Sequence, residues 1–288
     1  MVYRGRFAPS PTGPLHAGSI LTAVASYLDA KANAGKWLVR IEDLDPPRIQ
    51  PGAEKAILDA LEAYGLESDE PIIRQSERLE IYREYLNSLV ANGLAYHCRC
   101  SRSELKARNA LAEYDRFCLS HPPAEGAQTG IRTLGGTSPS FVDKVQGLQA
   151  AEAVSDFIVF RRDGLFAYQL AVVIDDELQS INSVVRGKDL LSETSKQLVL
   201  QRKLNFSQHK NYAHLPLILA KDGQKLSKQT FAQPVSTDPD QIRESLINTF
   251  QNLALNPPKD LIYNEIIEIY QWGVEHWDLA KLPTDLTL

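Results

Sequence analysis

Long apolar runs are missing from this sequence. The longest, such as Leu170 to Ile174, fall far short of the roughly 20 residues a bilayer-spanning helix needs. No apolar stretch opens the chain either: Arg4 and Arg6 lead directly into Phe7-Ala8-Pro9. A secretory signal is therefore not expected, and the reading is a cytoplasmic monomer with no membrane partner. Cysteine is scarce. Three cysteines cannot form a closed disulfide framework. Cys98 and Cys100 sit two apart with Cys118 close behind, which points to a metal site or to free thiols. Charge of one sign is also in short supply. Lys and Arg total 31 against 36 Asp and Glu, a net charge of −5, so there is no basic surplus for indiscriminate nucleic-acid binding, although a local basic surface is allowed. Internal repeats and coiled-coil heptads are absent.

What is present is an ordinary globular balance, 43% hydrophobic and 23% charged, over 288 residues. That length can bury a full α/β domain plus a smaller appendage. Tyr3 to Ala8 reads as a strand stopped by the rigid Pro9-Ser10-Pro11-Thr12-Gly13-Pro14 loop. From Gly18 a helix is expected, with Ile20, Leu21, Val24, Tyr27 and Leu28 on one side and Gly35 as its stop. Trp37 to Ile41 is a second strand, and strand, helix, strand in so short a span is a βαβ unit of a parallel sheet.

Further along, helices are expected over Ala53 to Tyr64 and Ser76 to Ala91. Ser101 and Glu104 match a capping box. Residues 121–149 give no period and are expected to be irregular. Phe157 to Arg162 and Leu165 to Ile174 alternate like two strands of a hairpin turning at Asp163-Gly164. Ile181 to Val185 should be a strand, followed by a helix from about Thr194 to Asn205. Leu215 to Leu219 is a short apolar stretch running into a Lys221-Asp222-Gly223 turn. Asp238-Pro239 opens a last helical region.

Two segments carry phosphate chemistry. Pro9 to Ser19, with His16 and Gly18, lies between the first strand and the first helix. A helix N-terminus offers unpaired N–H groups and a partial positive charge to a polyphosphate. Gly18 allows close backbone approach and His16 can donate a hydrogen bond. The plainer alternative is a Pro-rich loop whose histidine caps the helix. The second segment is Lys225-Leu226-Ser227-Lys228, where two lysines could place point charges on a triphosphate in the transition state. Alone, it would read as a solvated lysine pair on a surface loop.

Taken together, these segments resemble the class I aminoacyl-tRNA synthetases. Leu15-His16-Ala17-Gly18 matches the HIGH motif and Lys225 to Gln229 the KMSKS motif, with Ser19 in place of the second histidine and Gln229 in place of the last serine. Arg6 to Ser10, Arg40-Ile41-Glu42-Asp43, Arg162-Asp163-Gly164 with Tyr168, Val172 to Asp176, and Val185-Arg186-Gly187 are similar to the glutamate branch. The resemblance implies an α/β fold: a Rossmann-like parallel sheet with a zinc-containing insertion and a short helical C-terminal region. The implied divisions are 1–95 and 151–232 for the catalytic domain, 96–150 for the insertion and 233–288 for the helical region.

It further implies ATP binding by His16, Gly18, Lys225 and Lys228, with His16 and Lys228 catalytic and Mg2+ assisting. Glutamate would be held by Arg6, Phe7, Ala8, Pro9, Ser10, Glu42, Tyr168 and Arg186, with the arginines on its carboxylates and Glu42 on its ammonium. The alternative for Glu42 is a structural ion pair with Arg40. Zn2+ would be held by Cys98, Cys100, Cys118 and Tyr114, with His97 or His121 competing for the fourth place, and three reduced thiols without metal as the alternative. The stretch after Lys228 is short beside the anticodon-binding domains of the full-length enzymes. This resembles the short paralogues of the branch, which activate glutamate without tRNA and transfer it to queuosine in tRNA(Asp). Two other readings stay open: a minimal enzyme charging tRNA(Glu), and a catalytically silent zinc-containing RNA-binding module.

Overall fold

The computed structural model of the chain describes residues 2–207, 210–216, 218–219 and 233–287. The chain opens with β1 (Arg4–Phe7), α1 (Ala17–Ala32) and β2 (Lys36–Ile41). The two strands are parallel, with Arg4 beside Lys36 and Phe7 beside Val39. The expected βαβ unit is therefore formed. Glycine at 35 serves another purpose than a helix stop. Ala34 takes the left-handed turn, with φ of 49°. A Cβ on Gly35 would lie 2.5 Å from the Tyr3 backbone oxygen, so glycine is needed there for the strand to approach.

After α2 (Ala53–Ala63), β3 (Ile73–Arg74) adds to the far side of β2, and α3 (Leu79–Ala91) follows. β4 (Ala95–Cys98) then starts an antiparallel sheet of order β10-β5-β4, with β5 at Gly130–Thr133 and β10 at Phe157–Phe160. Between β4 and β5 lie α4 (Arg102–Ala107) and α5 (Phe117–Ser120). The Ser101–Glu104 capping box is formed in both directions. Residues 121–149 are less irregular than expected. Besides β5 they hold β6 (Gly136–Thr137), β7 (Phe141–Asp143) and β8 (Gly147–Gln149), strands too short to leave a readable alternation. β9 (Ala153–Val154) pairs with β6.

The expected hairpin over Leu165 to Ile174 is overturned. Only an isolated bridge, Phe160 to Phe166, follows the turn, and α6 runs from Tyr168 to Leu178. Every residue from Gln169 to Asp176 is buried. A helix wrapped by protein on all sides has no polar face, and its apolar run cannot be told from a buried strand by period.

β11 (Ser183–Gly187), α7 (Leu191–Lys203) and β12 (Asn211–Leu215) form a second parallel βαβ unit, register Ser183 to Asn211 through Gly187 to Leu215. β7 and then β8 extend this sheet beyond β12. β11 lies against β1, where the Asn182 N–H donates to the Arg4 carbonyl at 3.1 Å. The parallel sheets β3-β2-β1 and β11-β12 therefore meet along β1 and β11. The chain winds outward one way from β1 and the other way from β11. Ligands of open α/β sheets bind at such a reversal, beyond the C-terminal strand ends.

Helices α8 (Pro239–Asn252) and α9 (Ile266–His276) close the chain. Ile242, Leu246, Phe250, Ile269 and Tyr270 are buried in one apolar cluster with α1 and with Trp37 of β2. The strands β13 (Ile218–Leu219) and β14 (Leu286–Thr287) also pair in parallel. Among the described residues no helix is long and apolar enough to cross a membrane.

Candidate active site

A cavity of about 580 Å³ opens at the reversal between β1 and β11. Its walls include Arg6, Phe7, Ala8 and Ser10 from β1 and the following loop, Glu42 from the end of β2, Tyr168 from the start of α6, and Arg186 from β11. Residues separated by up to 180 positions thus meet because each lies at the C-terminal end of a central strand or at the start of a buried helix. Pro9 contributes through its backbone, its carbonyl accepting the Glu42 N–H at 2.9 Å.

Below the cavity lies a buried network of charge. Arg40 is completely buried. It lies 2.8 Å from Asp176, 3.3 Å from Glu42 and 3.9 Å from Asp175. Its Nε finds no hydrogen-bond partner among the described residues. Arg6 donates to both oxygens of Asp176, at 3.1 and 3.3 Å. Asp175 accepts from Gln75, Arg78 and the Tyr82 hydroxyl, each at 2.8 Å. Burial works against ionisation of Asp176, but Arg6 and Arg40 outweigh it and hold its carboxyl well below the usual range. For Glu42 the balance falls the other way: burial raises its pKa and Arg40 and Arg6 offset only part of this. Glu42 forms the ion pair with Arg40 and also lies on the cavity wall. The Tyr168 hydroxyl is also pushed up, by burial and by the neighbouring Glu42 charge.

His16 is the N-cap of α1, in extended conformation, and its carbonyl accepts the Ser19 and Ile20 N–H groups at 2.8 and 3.0 Å. A Cβ on Gly18 would lie 3.2–3.3 Å from the His16 ring, so glycine lets the imidazole fold back over the first turn. No acidic side chain occupies that turn, which leaves the positive end of the helix available to an anion. Thr22, one turn further, lines the cavity. Lys225 and Lys228 lie outside the described residues.

The cysteine segment forms a separate site. The sulfurs of Cys98, Cys100 and Cys118 all lie within 4.8 Å of one another. The Tyr114 hydroxyl is 3.4 Å from Cys98 Sγ and 3.5 Å from Cys100 Sγ, and it accepts the Cys118 N–H at 3.0 Å. Tetrahedral zinc with 2.3 Å bonds to sulfur spaces its thiolates about 3.8 Å apart, so the donor set fits. The competing histidines are engaged elsewhere. His97 Nδ1 meets the Thr129 hydroxyl at 2.8 Å, and His121 stacks on Phe117 with its Nδ1 near the Phe117 carbonyl.

Two cations also face the sulfurs. Arg108 donates to Cys100 at 3.2 Å, and Arg132 donates to Cys98 at 3.3 Å while lying over the Tyr114 ring. Three thiolates and a phenolate around a divalent ion carry excess negative charge, which such arginines would offset. Cys98→Ser is expected to abolish stoichiometric zinc, measured by elemental analysis of purified protein, and to loosen β4 and α4 while the parallel sheet stays folded. Unchanged metal content would remove zinc from this cluster.

Arg40, Asp175 and Asp176 lie in segments similar to the glutamate branch, but residue type alone marks only Arg40, as an ion-pair partner for Glu42. Thr194 and His214, which both touch Arg186, had no signal of their own in the sequence.

The family description "tRNA synthetases class I (E and Q), catalytic domain" matches residues 2–272. A protein of Pseudomonas fluorescens named glutamyl-Q tRNA(Asp) synthetase is 46% identical over 289 residues, covering 99% of this chain and 95% of that protein. Its namesake from Pseudomonas aeruginosa is 46% identical over 290 residues, covering 99% and 97%. A glutamate tRNA ligase from Elizabethkingia meningosepticum, crystallised with its amino acid, superposes with a TM-score of 0.79 at 26% identity, covering all of this chain and 67% of that one. A matching α/β fold, a family match over most of its length and full-length relatives at this identity place the chain among the class I tRNA synthetases of the E and Q type, in the glutamyl-Q tRNA(Asp) synthetase family, as a ligase-type enzyme.

Proposed function

We propose that the enzyme activates glutamate with ATP in the absence of tRNA, and then transfers the glutamyl group to queuosine in the anticodon of tRNA(Asp). The observation that carries this reading is the cavity at the β1/β11 reversal, which has arginines and Glu42 on its walls and the N-terminal turn of α1 beside it. Glutamate brings two carboxylates and an ammonium, and these walls offer the matching groups. Arg186 and Arg6 are assigned to the carboxylate side, Glu42 to the ammonium, and the Ser10 and Tyr168 hydroxyls to orientation.

In the first step a carboxylate oxygen of glutamate attacks the α-phosphorus of ATP. The bond to the bridging oxygen breaks and pyrophosphate leaves. Negative charge builds on the polyphosphate, where His16, the amides around Gly18, Lys225 and Lys228 would stabilise it. Mg2+ bound to the phosphates would add positive charge there. In the second step a hydroxyl of the queuosine cyclopentene-diol attacks the adenylate carbonyl carbon, releasing AMP and a proton. Zinc would hold the Cys98–Cys118 segment together, away from the reacting atoms.

The test is glutamate-dependent ATP–pyrophosphate exchange with and without tRNA, followed by labelling of tRNA(Asp) with and without queuosine. Exchange without tRNA and labelling only of the queuosine form are expected. A strict tRNA requirement, with glutamate appearing on tRNA(Glu), would favour a minimal charging enzyme. No exchange with any amino acid would favour a silent RNA-binding module.

The raised pKa of Glu42 adds a pH dependence. A bound ammonium favours ionised Glu42, so binding releases a proton wherever that carboxyl is protonated. The KM for glutamate is expected to climb as pH falls through this raised value, with kcat at saturation nearly unchanged. A glutamate KM that does not rise as the pH is lowered from neutrality would take the ammonium away from Glu42.

A further inference from the structure

Arg6 and Arg186 both line the cavity, but they are held in different ways. Arg6 is paired with a carboxylate, Asp176, which cancels its charge. Arg186, only 4% exposed, is held among the described residues by a histidine, a hydroxyl and a carbonyl. Its Nε donates to His214 Nε2 at 2.9 Å, and its NH2 donates to the Thr194 hydroxyl at 2.8 Å and the Leu190 carbonyl at 3.4 Å. The remaining nitrogen, NH1, is buried with no hydrogen-bond partner among the described residues. Leaving a charged donor buried and unpaired is costly unless a ligand supplies the acceptor.

An arginine Nε always carries hydrogen, so His214 Nε2 must be a bare lone pair and the ring proton must lie on Nδ1. Asp143 imposes that arrangement. Its Oδ2 is 2.6 Å from His214 Nδ1, and the carboxylate also accepts the backbone N–H groups of Val145, Gln146 and His214. The fold brings the pair together by laying β7 beside β12, with Asp143 opposite Tyr212. His214 is fully buried, and burial pushes its pKa below the usual histidine range against the pull of Asp143.

We propose that His214 is a positioning residue: as a neutral acceptor fixed by Asp143, it orients Arg186 so that NH1 faces a carboxylate of the bound amino acid, without neutralising the guanidinium. An aspartate or glutamate in its place would orient the arginine equally well but cancel the charge the substrate needs. The proposal rests on the glutamate-activating reading and assigns carboxylate binding chiefly to Arg186, with Arg6 serving the network beneath.

The test compares His214→Asn, His214→Gln and wild type in glutamate-dependent pyrophosphate exchange. Asparagine can still donate towards Asp143 but offers Arg186 nothing. The amide oxygen of glutamine can take the place of Nε2. His214→Asn is expected to raise the KM for glutamate about 10–100-fold, the range for losing a hydrogen bond to a charged group, with the KM for ATP within about twofold. His214→Gln should recover much of that loss. An unchanged glutamate KM in His214→Asn, or equal losses for both substrates, would overturn the proposal. Wild type that shows no exchange would instead remove the functional reading. Independently of activity and of variant folding, 15N NMR of the wild-type protein should show His214 protonated on Nδ1 and bare on Nε2. Protonation of Nε2 would overturn the proposal.

Discussion

Arg40→Met is expected to destabilise the protein by about 3–5 kcal/mol, the usual cost of removing one partner from a buried charge network, read as a lower urea midpoint. Methionine keeps most of the apolar stem and removes only the guanidinium. Glu42 and Asp176 then lose one of two shared counter-charges, with Arg6 remaining, while staying buried, and Asp175 loses the cation it has besides Arg78. The pH dependence follows from the two shifted carboxyls. Asp176 has a lowered folded pKa. Its contribution is therefore complete above the unfolded value of about 3.9 and is lost as pH falls through the folded value. Glu42 has a raised folded pKa, so its contribution is complete at low pH and is lost as pH rises through that value. Without Arg40 both carboxyls hold protons more tightly. The deficit should be widest near neutrality and should narrow on acidification. Adding Glu42→Gln to Arg40→Met should restore part of the loss, because one orphaned charge is gone. A variant within about 1 kcal/mol of wild type at neutral pH would show that Arg40 is not the counter-charge on which these carboxylates depend.

Lys228→Ala should cut glutamate-dependent pyrophosphate exchange about 10²–10³-fold, roughly 3–4 kcal/mol, as for loss of one preorganised donor to developing charge. Lys228 lies outside the described residues, and the expected loss follows from the chemistry of a lysine beside a triphosphate. No protein nucleophile is needed for attack at the α-phosphorus, so the barrier falls mainly through positioning and charge stabilisation. A lysine acting in the transition state changes kcat while leaving the KM for glutamate near wild type. Wild-type exchange in this variant would refute the role of Lys228. A change confined to KM would make it a ground-state phosphate contact instead.

The parts of the fold that could be read in advance had strong local causes. A rigid proline-rich stop made β1 legible, one apolar side and its flanking loop made α1 legible, and Ser101 with Glu104 marked the start of α4. Helix α6 was misread because its surroundings, rather than its own pattern, explain why every residue from Gln169 to Asp176 can be buried. The short strands β6 to β8 were missed because two or three residues carry no period.

The order and kinds of residues define the chemistry on offer. They supply a histidine at a helix start, arginines and Glu42 at the ends of strands, and three thiols close enough in sequence to share one metal, with Tyr114 added by the family resemblance. Those signals are local, fixed by residue type and near neighbours. How the pieces are held and aimed depends on long-range contacts. The fold left Glu42 both paired and on the cavity wall, turned His97 and His121 away from the sulfurs, and set neutral His214 rather than a carboxylate against Arg186. Asp143 reaches His214 across 71 positions because one strand lies beside another. Sheet pairing and burial bring such partners together, and neither is a property of the segments taken singly.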